Sequence, residues 1–356
     1  GKMGNFKLKA LKEAIKREII REAEKKEEES KALTPYWQAQ TSGSKASLRG
    51  LNAVTENVAW ASGTKGTVLR TIDGGKTWED VSIAEADTID FRDIQGFDAN
   101  TAIALSAGLP AVIYKTTDGG QSWQQKYFSM KEGTFYDAMD FWDDQNGIIF
   151  GDAVDSRLLI LKTKDGGETW QELPFEQRPI AKDGQGGFAA SGTCLITNGN
   201  SDVYIGLGGE EASLFYSYDR GETWEKTITP LQSGESTAGI FSIAFKNENE
   251  GLMVGGDYRG DSLTRINSAY TLDRGKSWFP VMASLKPQGY RSGVAIFNDL
   301  VLAVGRQSCD YFREGMEGYA PMEGKYYSVS VTKDNKAAYA SGPGGAVARL
   351  GFKENE

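Results

Sequence analysis

Three arginines, Arg49, Arg92 and Arg291, stand at matching places in short apolar segments that recur along this chain of 356 residues. The segments read Leu48-Arg49-Gly50-Leu51, Phe91-Arg92-Asp93-Ile94, Phe135-Tyr136-Asp137-Ala138, Gly187-Phe188-Ala189-Ala190, Ile240-Phe241-Ser242-Ile243, Tyr290-Arg291-Ser292-Gly293 and Tyr326-Tyr327-Ser328-Val329. Guanidinium groups converging from different segments hold a carboxylate, a phosphate or an acidic peptide side chain through forked hydrogen bonds. Asp93, Tyr136, Asp137, Tyr290 and Tyr327 belong to the same segments. Asp152, Asp257, Tyr258 and Arg306 lie at or just after the ends of a second set of apolar runs, such as Val304-Gly305-Arg306. The candidate site is therefore mixed in sign. The same residues also allow a purely structural arrangement in which Arg49 and Arg92 are neutralised by Asp93 and Asp137.

Composition removes several chemistries. Histidine is absent, which excludes histidine bases, histidine triads and histidine metal ligands. The two cysteines, Cys194 and Cys309, are far apart and form no paired redox motif, and no glycine-rich dinucleotide loop opens a helix. No cofactor and no metal are expected. A net charge of −9 argues against general affinity for nucleic acid or an anionic membrane, both of which require a basic face. No apolar run is long enough to span a bilayer, so no transmembrane segment is expected.

The elements that position these residues are marked by a second repeat. It reads [ST]-x-D-x-G-x-[ST]-W and occurs five times: Asp73 to Trp78, Asp118 to Trp123, Asp165 to Trp170, Asp219 to Trp224 and Asp273 to Trp278. Successive aspartates are 45, 47, 54 and 54 residues apart, the length of one four-stranded propeller blade. The aspartate folds back on nearby N–H groups, the glycine supplies a positive φ, and the tryptophan buries a large ring. Five near-identical copies cannot all be an active site, so these residues are read as structural rivets and not as calcium ligands or catalytic acids.

Seven recurrent segments, each followed by a second apolar run, predict an all-β, seven-bladed β-propeller. The last two blades lack a recognisable box, and the seventh lacks its outermost strand. Tyr36-Trp37-Gln38 resembles the residues that follow a box, so the strand 36–41 is predicted to complete the last blade and leave no open sheet edge. Because strands alternate in direction, the box turns fall on one face and the arginine-bearing segments on the other. The propeller is expected over 33–352. Residues 1–32 form an amphipathic leader or tag, with Leu8, Leu11, Ile15 and Ile19 at helical spacing among Lys and Glu.

The boxes are those of BNR repeats. Phrases between them, among them Leu69-Arg-Thr-Ile-Asp73, Phe135-Tyr-Asp-Ala-Met139, Phe188-Ala-Ala-Ser-Gly-Thr-Cys194 and Gly255-Gly-Asp-Tyr258, resemble the bacterial branch of the photosystem II assembly and stability factor-like propellers. That resemblance covers roughly residues 35 to 350. It implies an exported or periplasmic, non-catalytic protein whose arginine-bearing face binds a partner protein or small acidic ligand without a cofactor. A rival reading is a sialidase-like glycoside hydrolase, for which Arg49, Arg92, Arg291, Tyr136, Tyr290 and Asp137 are the available ingredients. Against it stand seven blades where sialidases have six, and Leu48-Arg49-Gly50 where they usually open with Arg-Ile-Pro. A third reading takes the absent histidine and the Lys/Glu-rich leader as signs of an engineered scaffold.

Overall fold

The computed structural model describes residues 2–31, 33–260 and 265–355. The chain divides into two compact units. The smaller holds the helix Lys2–Lys31 and the chain ends as far as Tyr36 and from Gly351. Leu8, Leu11, Ile15, Ile19 and Ile20 of that helix are all exposed. Among the described residues no helix is long and apolar enough to cross a membrane.

The larger unit, Trp37–Leu350, carries the seven-bladed β-propeller. The blades open with Leu48–Ala53, Phe91–Gly96, Tyr136–Phe141, Leu195–Asn198, Glu235–Phe245, Gly293–Phe297 and Ser328–Val331. Antiparallel pairing continues outward through each sheet. Blade six keeps four strands although it has no box, its outer pair being Cys309–Arg313 and Ala320–Met322. In the seventh sheet Ser328–Val331, Ala338–Ser341 and Val347–Glu354 are followed by Leu33–Gln40 as the outermost strand. Trp37 of that strand packs with Leu300, Leu302 and Tyr326.

The box turns are built by local hydrogen bonding. In blade three Asp165 Oδ1 accepts from Thr163 Oγ1 and Thr169 N, both at 2.9 Å, and Oδ2 accepts from Thr169 Oγ1 at 2.6 Å. Gly167, at φ +82°, donates its N–H to Thr163 Oγ1. The other four boxes repeat this pattern. These bonds favour the ionised carboxylate, so the box aspartates are held below their ordinary pKa.

The inner ring is stitched from blade to blade by the opening strands. Asp93 Oδ2 accepts from Met139 N at 2.8 Å, and Ser242 Oγ accepts from Val294 N at 2.9 Å. Ser292 Oγ donates to Tyr327 O, and Ser328 Oγ to Arg49 O. Each bond satisfies a backbone group that the twisted inner strands leave without a ladder partner.

Blade four corrects the sequence reading. Its opening strand is Leu195–Asn198, not the segment at Gly187–Ala190. Gly187–Thr193 instead crosses the central channel without ladder pairing. Small residues make this crossing feasible: a Cβ on Gly192, which sits at φ +75°, would lie 2.5 Å from Asp93 Oδ1. Both cysteines are buried and unbridged.

Candidate functional site

The site forms where the opening strands begin and the second strands end. Four first strands carry a β-bulge there, around Arg49, Arg92, Asp137 and Phe241, each lying between two register-paired residues. A bulge re-aims a side chain out of the alternating pattern, and Arg49, Arg92 and Phe241 line the cavity at the channel mouth while Asp137 lies beneath it. Arg49, Arg92 and Arg306 meet around a cavity of about 370 Å³. Its aromatic wall is Phe135, Phe188, Phe241, Tyr258, Tyr290 and Tyr327. Phe188 stacks on Phe241 at 3.9 Å between centroids, and Tyr290 meets Phe241 edge-on at 4.8 Å.

The crossing segment Gly187–Thr193 is the floor. Arg49 Nη1 donates to Ala190 O at 3.1 Å, and Arg92 Nη1 to Ala189 O at 3.2 Å. Arg49 also lies over the Tyr327 ring, 3.9 Å from its centroid. Arg92 pairs with Asp90 at 2.9 Å, and Arg306 donates to Tyr258 O. Burial first, then the neighbouring charge of Arg92, lower the Arg49 pKa, so an anion brought between these guanidiniums relieves a repulsion already present.

A carboxyl pair sits at the edge of this floor. Asp152 accepts from Gly187 N at 2.9 Å and lines the cavity. Asp137 lies deeper, and among the described residues its two oxygens accept no hydrogen bond. Burial first, then the charge of Asp152, raise the Asp137 pKa well above the usual carboxylate range. Burial also raises that of Asp152. Both shifts favour the neutral acid, so burial reduces the negative charge that this carboxyl pair sets against the arginines.

Seven of the twelve candidate residues meet at this cavity: Arg49, Arg92, Asp152, Tyr258, Tyr290, Arg306 and Tyr327. The other five lie outside its lining. Asp93 is buried as a stitch, bonded to Ile94 N and Met139 N. Asp257 accepts from Thr237 Oγ1 and Arg259 N. Asp137 is covered by Gly187, where a Cβ would lie 2.8 Å from its Cγ.

Tyr136 and Arg291 are displaced for one shared reason. The register puts Tyr136 opposite Gly151 as Phe91 is opposite Ser106, and Gly293 opposite Val304 as Gly50 is opposite Ser62. The sequence alignment is therefore one residue out in blades three and six, and a slip of one residue turns a side chain to the other face. Tyr136 and Arg291 occupy the inward place of Leu48, Phe91 and Ile240 and are as fully buried as those residues. Tyr136 shares a hydrogen bond with Tyr127 at 3.0 Å, and burial raises its pKa. Arg291 makes a buried ion pair with Asp310, Nε to Oδ2 at 2.7 Å, and donates to Tyr290 O and Gln288 O. The proposed pairing of Arg49 and Arg92 with Asp93 and Asp137 is likewise not what forms, since the bonded partners are Ala190 O, Ala189 O and Asp90.

Phe135, Gly187, Phe188, Ala189, Ala190 and Phe241 were not foreseen as site residues. One signal was present: the run from Gly187 to Leu207 is longer than its counterparts, such as Phe91 to Ala107, and leaves residues over for a channel crossing. Among the described residues no cluster of three or more acidic or cysteine side chains is placed to hold a metal ion.

Seven sheets around a plugged channel, riveted by Asp-box turns, define a BNR-type β-propeller with a basic, aromatic pocket on the face opposite the boxes. The chain resembles, more particularly, the photosystem II assembly-factor type of these propellers. The family model for photosynthesis system II assembly factor YCF48 matches residues 29–133, and that for the BNR/Asp-box repeat matches 215–226. A solved structure of YCF48 bound to D1 peptide is 17% identical, with 88% of this chain and 96% of that one covered and a TM-score of 0.63. YCF48 from Cyanidioschyzon merolae is 18% identical over 88% and 98%, also at 0.63. The GH74 xyloglucanase from Xanthomonas campestris is 13% identical over 88% of this chain and 53% of its own, at 0.62. At such identities the likeness is one of fold. No curated protein sequence matches.

Proposed function

We propose that this propeller is a non-catalytic binding protein whose channel-face pocket takes an acidic group of a protein partner. The observation that carries this reading is the convergence of Arg49, Arg92 and Arg306 on one cavity floored by Gly187–Thr193 and walled by aromatic rings. Arginine beside aromatic surface suits protein recognition, because the planar fork grips a carboxylate while the rings supply rigid apolar contact. The D1 peptide in the YCF48 complex supports a peptide partner for this kind of propeller.

The glycosidase reading is weakened at two of its ingredients. Tyr136 is bonded to Tyr127 away from the cavity and Arg291 is paired with buried Asp310, so of that set Arg49, Arg92 and Tyr290 alone line the pocket. The test is recovery of partners from a lysate of the source cells on the immobilised protein and on an Arg49→Ala/Arg92→Ala variant. A partner retained by the parent and lost by the variant is expected. The same partners on both proteins would remove this face from the binding function.

A further inference from the structure

Each box packs on the blade before it. Box glycines Gly167, Gly221 and Gly275 lie over Ile103, Ile148 and Tyr204, with a Cβ approach of 2.3, 2.9 and 2.5 Å. Those three residues sit opposite Lys115, Lys162 and Tyr216, each the residue immediately before the box of its own blade. All three are completely buried. Every such seam also carries an indole. Trp123 meets Trp60 edge-on, Trp78 meets Tyr339, and Trp170, Trp224 and Trp278 join the clusters of Ile103, Ile148 and Tyr204. Trp37 fills the seam between blades six and seven.

The seam between blades five and six is different. The place of Ile103, Ile148 and Tyr204 falls in blade five on Leu252, opposite Tyr270 and one residue before the box. Blade six brings neither box nor tryptophan to cover it. Leu252 is only half-buried, Tyr270 is 40% exposed and Leu272 60% exposed. A groove of about 330 Å³ remains, with Leu252, Tyr270, Leu272, Ile296 and Phe312 along it. Glu250 and Glu314 outnumber Lys246 at its rim, where Asp299 is paired with Arg313.

We infer that this groove is a second docking site, on the box face, for a partner segment that presents an aromatic side chain beside a basic residue. The occupant's chemistry is given by the repeat itself. Six seams pack an indole between adjacent blades, and the seventh lacks the ring. The surplus of carboxylates at the rim selects a basic neighbour over an acidic one. An exposed apolar groove with a polar rim is the usual form of such a surface. The site shares no residue with the arginine pocket, so the two can be tested apart.

The experiment titrates protein carrying labelled Ile and Leu methyl groups with the capped tripeptide Lys-Trp-Lys, using Lys-Ala-Lys and Glu-Trp-Glu as controls. Saturable shifts are expected at the Leu252, Leu272 and Ile296 methyls, with the buried Ile103 and Ile148 methyls unmoved. Lys-Ala-Lys should bind about tenfold more weakly, about 1.4 kcal/mol, because it lacks the ring. Leu272→Lys, a change at an exposed position, should weaken Lys-Trp-Lys, whereas Arg49→Ala/Arg92→Ala should leave it unchanged. Equal shifts with all three peptides, or none, would overturn the inference. So would groove shifts that depend on protein concentration alone, because the occupant would then be a second copy.

Discussion

Arg291 offers the sharpest test of the account, because the sequence placed it on the binding face and the structure places it in the core. Arg291→Met removes the cation from a pair whose side chains are 1% and 2% exposed. Breaking a buried ion pair by deleting one partner costs about 3–5 kcal/mol, since the remaining charge stays buried. Tyr290 O and Gln288 O each lose a donor, adding about 1 kcal/mol apiece where no water replaces it. A total loss of about 4 kcal/mol or more lowers the urea midpoint by roughly 1 M for a chain of this size. The pH dependence has a definite sign. Burial already raises the Asp310 pKa, and Arg291 opposes that rise. Without the arginine the folded-state pKa climbs further above its unfolded value, so the deficit is largest at neutral and alkaline pH and shrinks as acid protonates Asp310. Adding Asp310→Leu to the variant should restore most of the stability, because an apolar pair of similar volume suits a buried site. Urea unfolding of the single and double variants at pH 5 and pH 8 measures all of this. A midpoint unchanged by Arg291→Met, or a loss of partner binding with no loss of stability, would refute the structural role.

Two further perturbations probe the ring. Trp37→Ala removes a buried ring from the wall it shares with Leu300, Leu302 and Tyr326, and should cost about 3–5 kcal/mol in denaturant unfolding; a loss below about 1 kcal/mol would show that the outermost strand contributes little to closing the propeller. Asp137 has a folded pKa well above its unfolded one, so its contribution is present at low pH and disappears as pH rises through the folded value. Asp137→Asn, which stays neutral, should therefore lose less stability than the parent as pH rises above the usual carboxylate range, a difference read from thermal midpoints across a pH series.

The parts of this protein legible in its sequence are those whose chemistry is contiguous. An Asp box is complete within eight residues, and its carboxylate, hydroxyl and glycine bond to one another, so Asp165 and Trp170 reveal their role without any tertiary context. Arg49 and Arg92 were legible because the segments around them keep the same register. Tyr136 and Arg291 were not, because apolar and aromatic residues occupy both neighbouring positions, and a pattern such as Phe135-Tyr136 or Tyr290-Arg291 does not say which residue faces inward. The partner that decides the matter for Arg291 is Asp310, on a strand two further along the blade. The channel crossing at Gly187–Thr193 was hidden for a related reason: its small residues resemble a short inner strand, and contacts from other blades, among them Arg49, Arg92, Asp152 and Ser328, hold it across the channel.

The central claim is that Arg49, Arg92 and Arg306 form one anion-accepting pocket for a protein partner. The most direct measurement is binding of a fluorescent peptide array, varied from neutral to acidic, to the parent protein and to Arg49→Ala, Arg92→Ala and Arg306→Ala. The account predicts that acidic peptides bind best, that added salt weakens them, and that each substitution lowers affinity for the same peptides while thermal stability holds. Acidic peptides bound equally by parent and variants, or no preference for acid at any salt concentration, would contradict it.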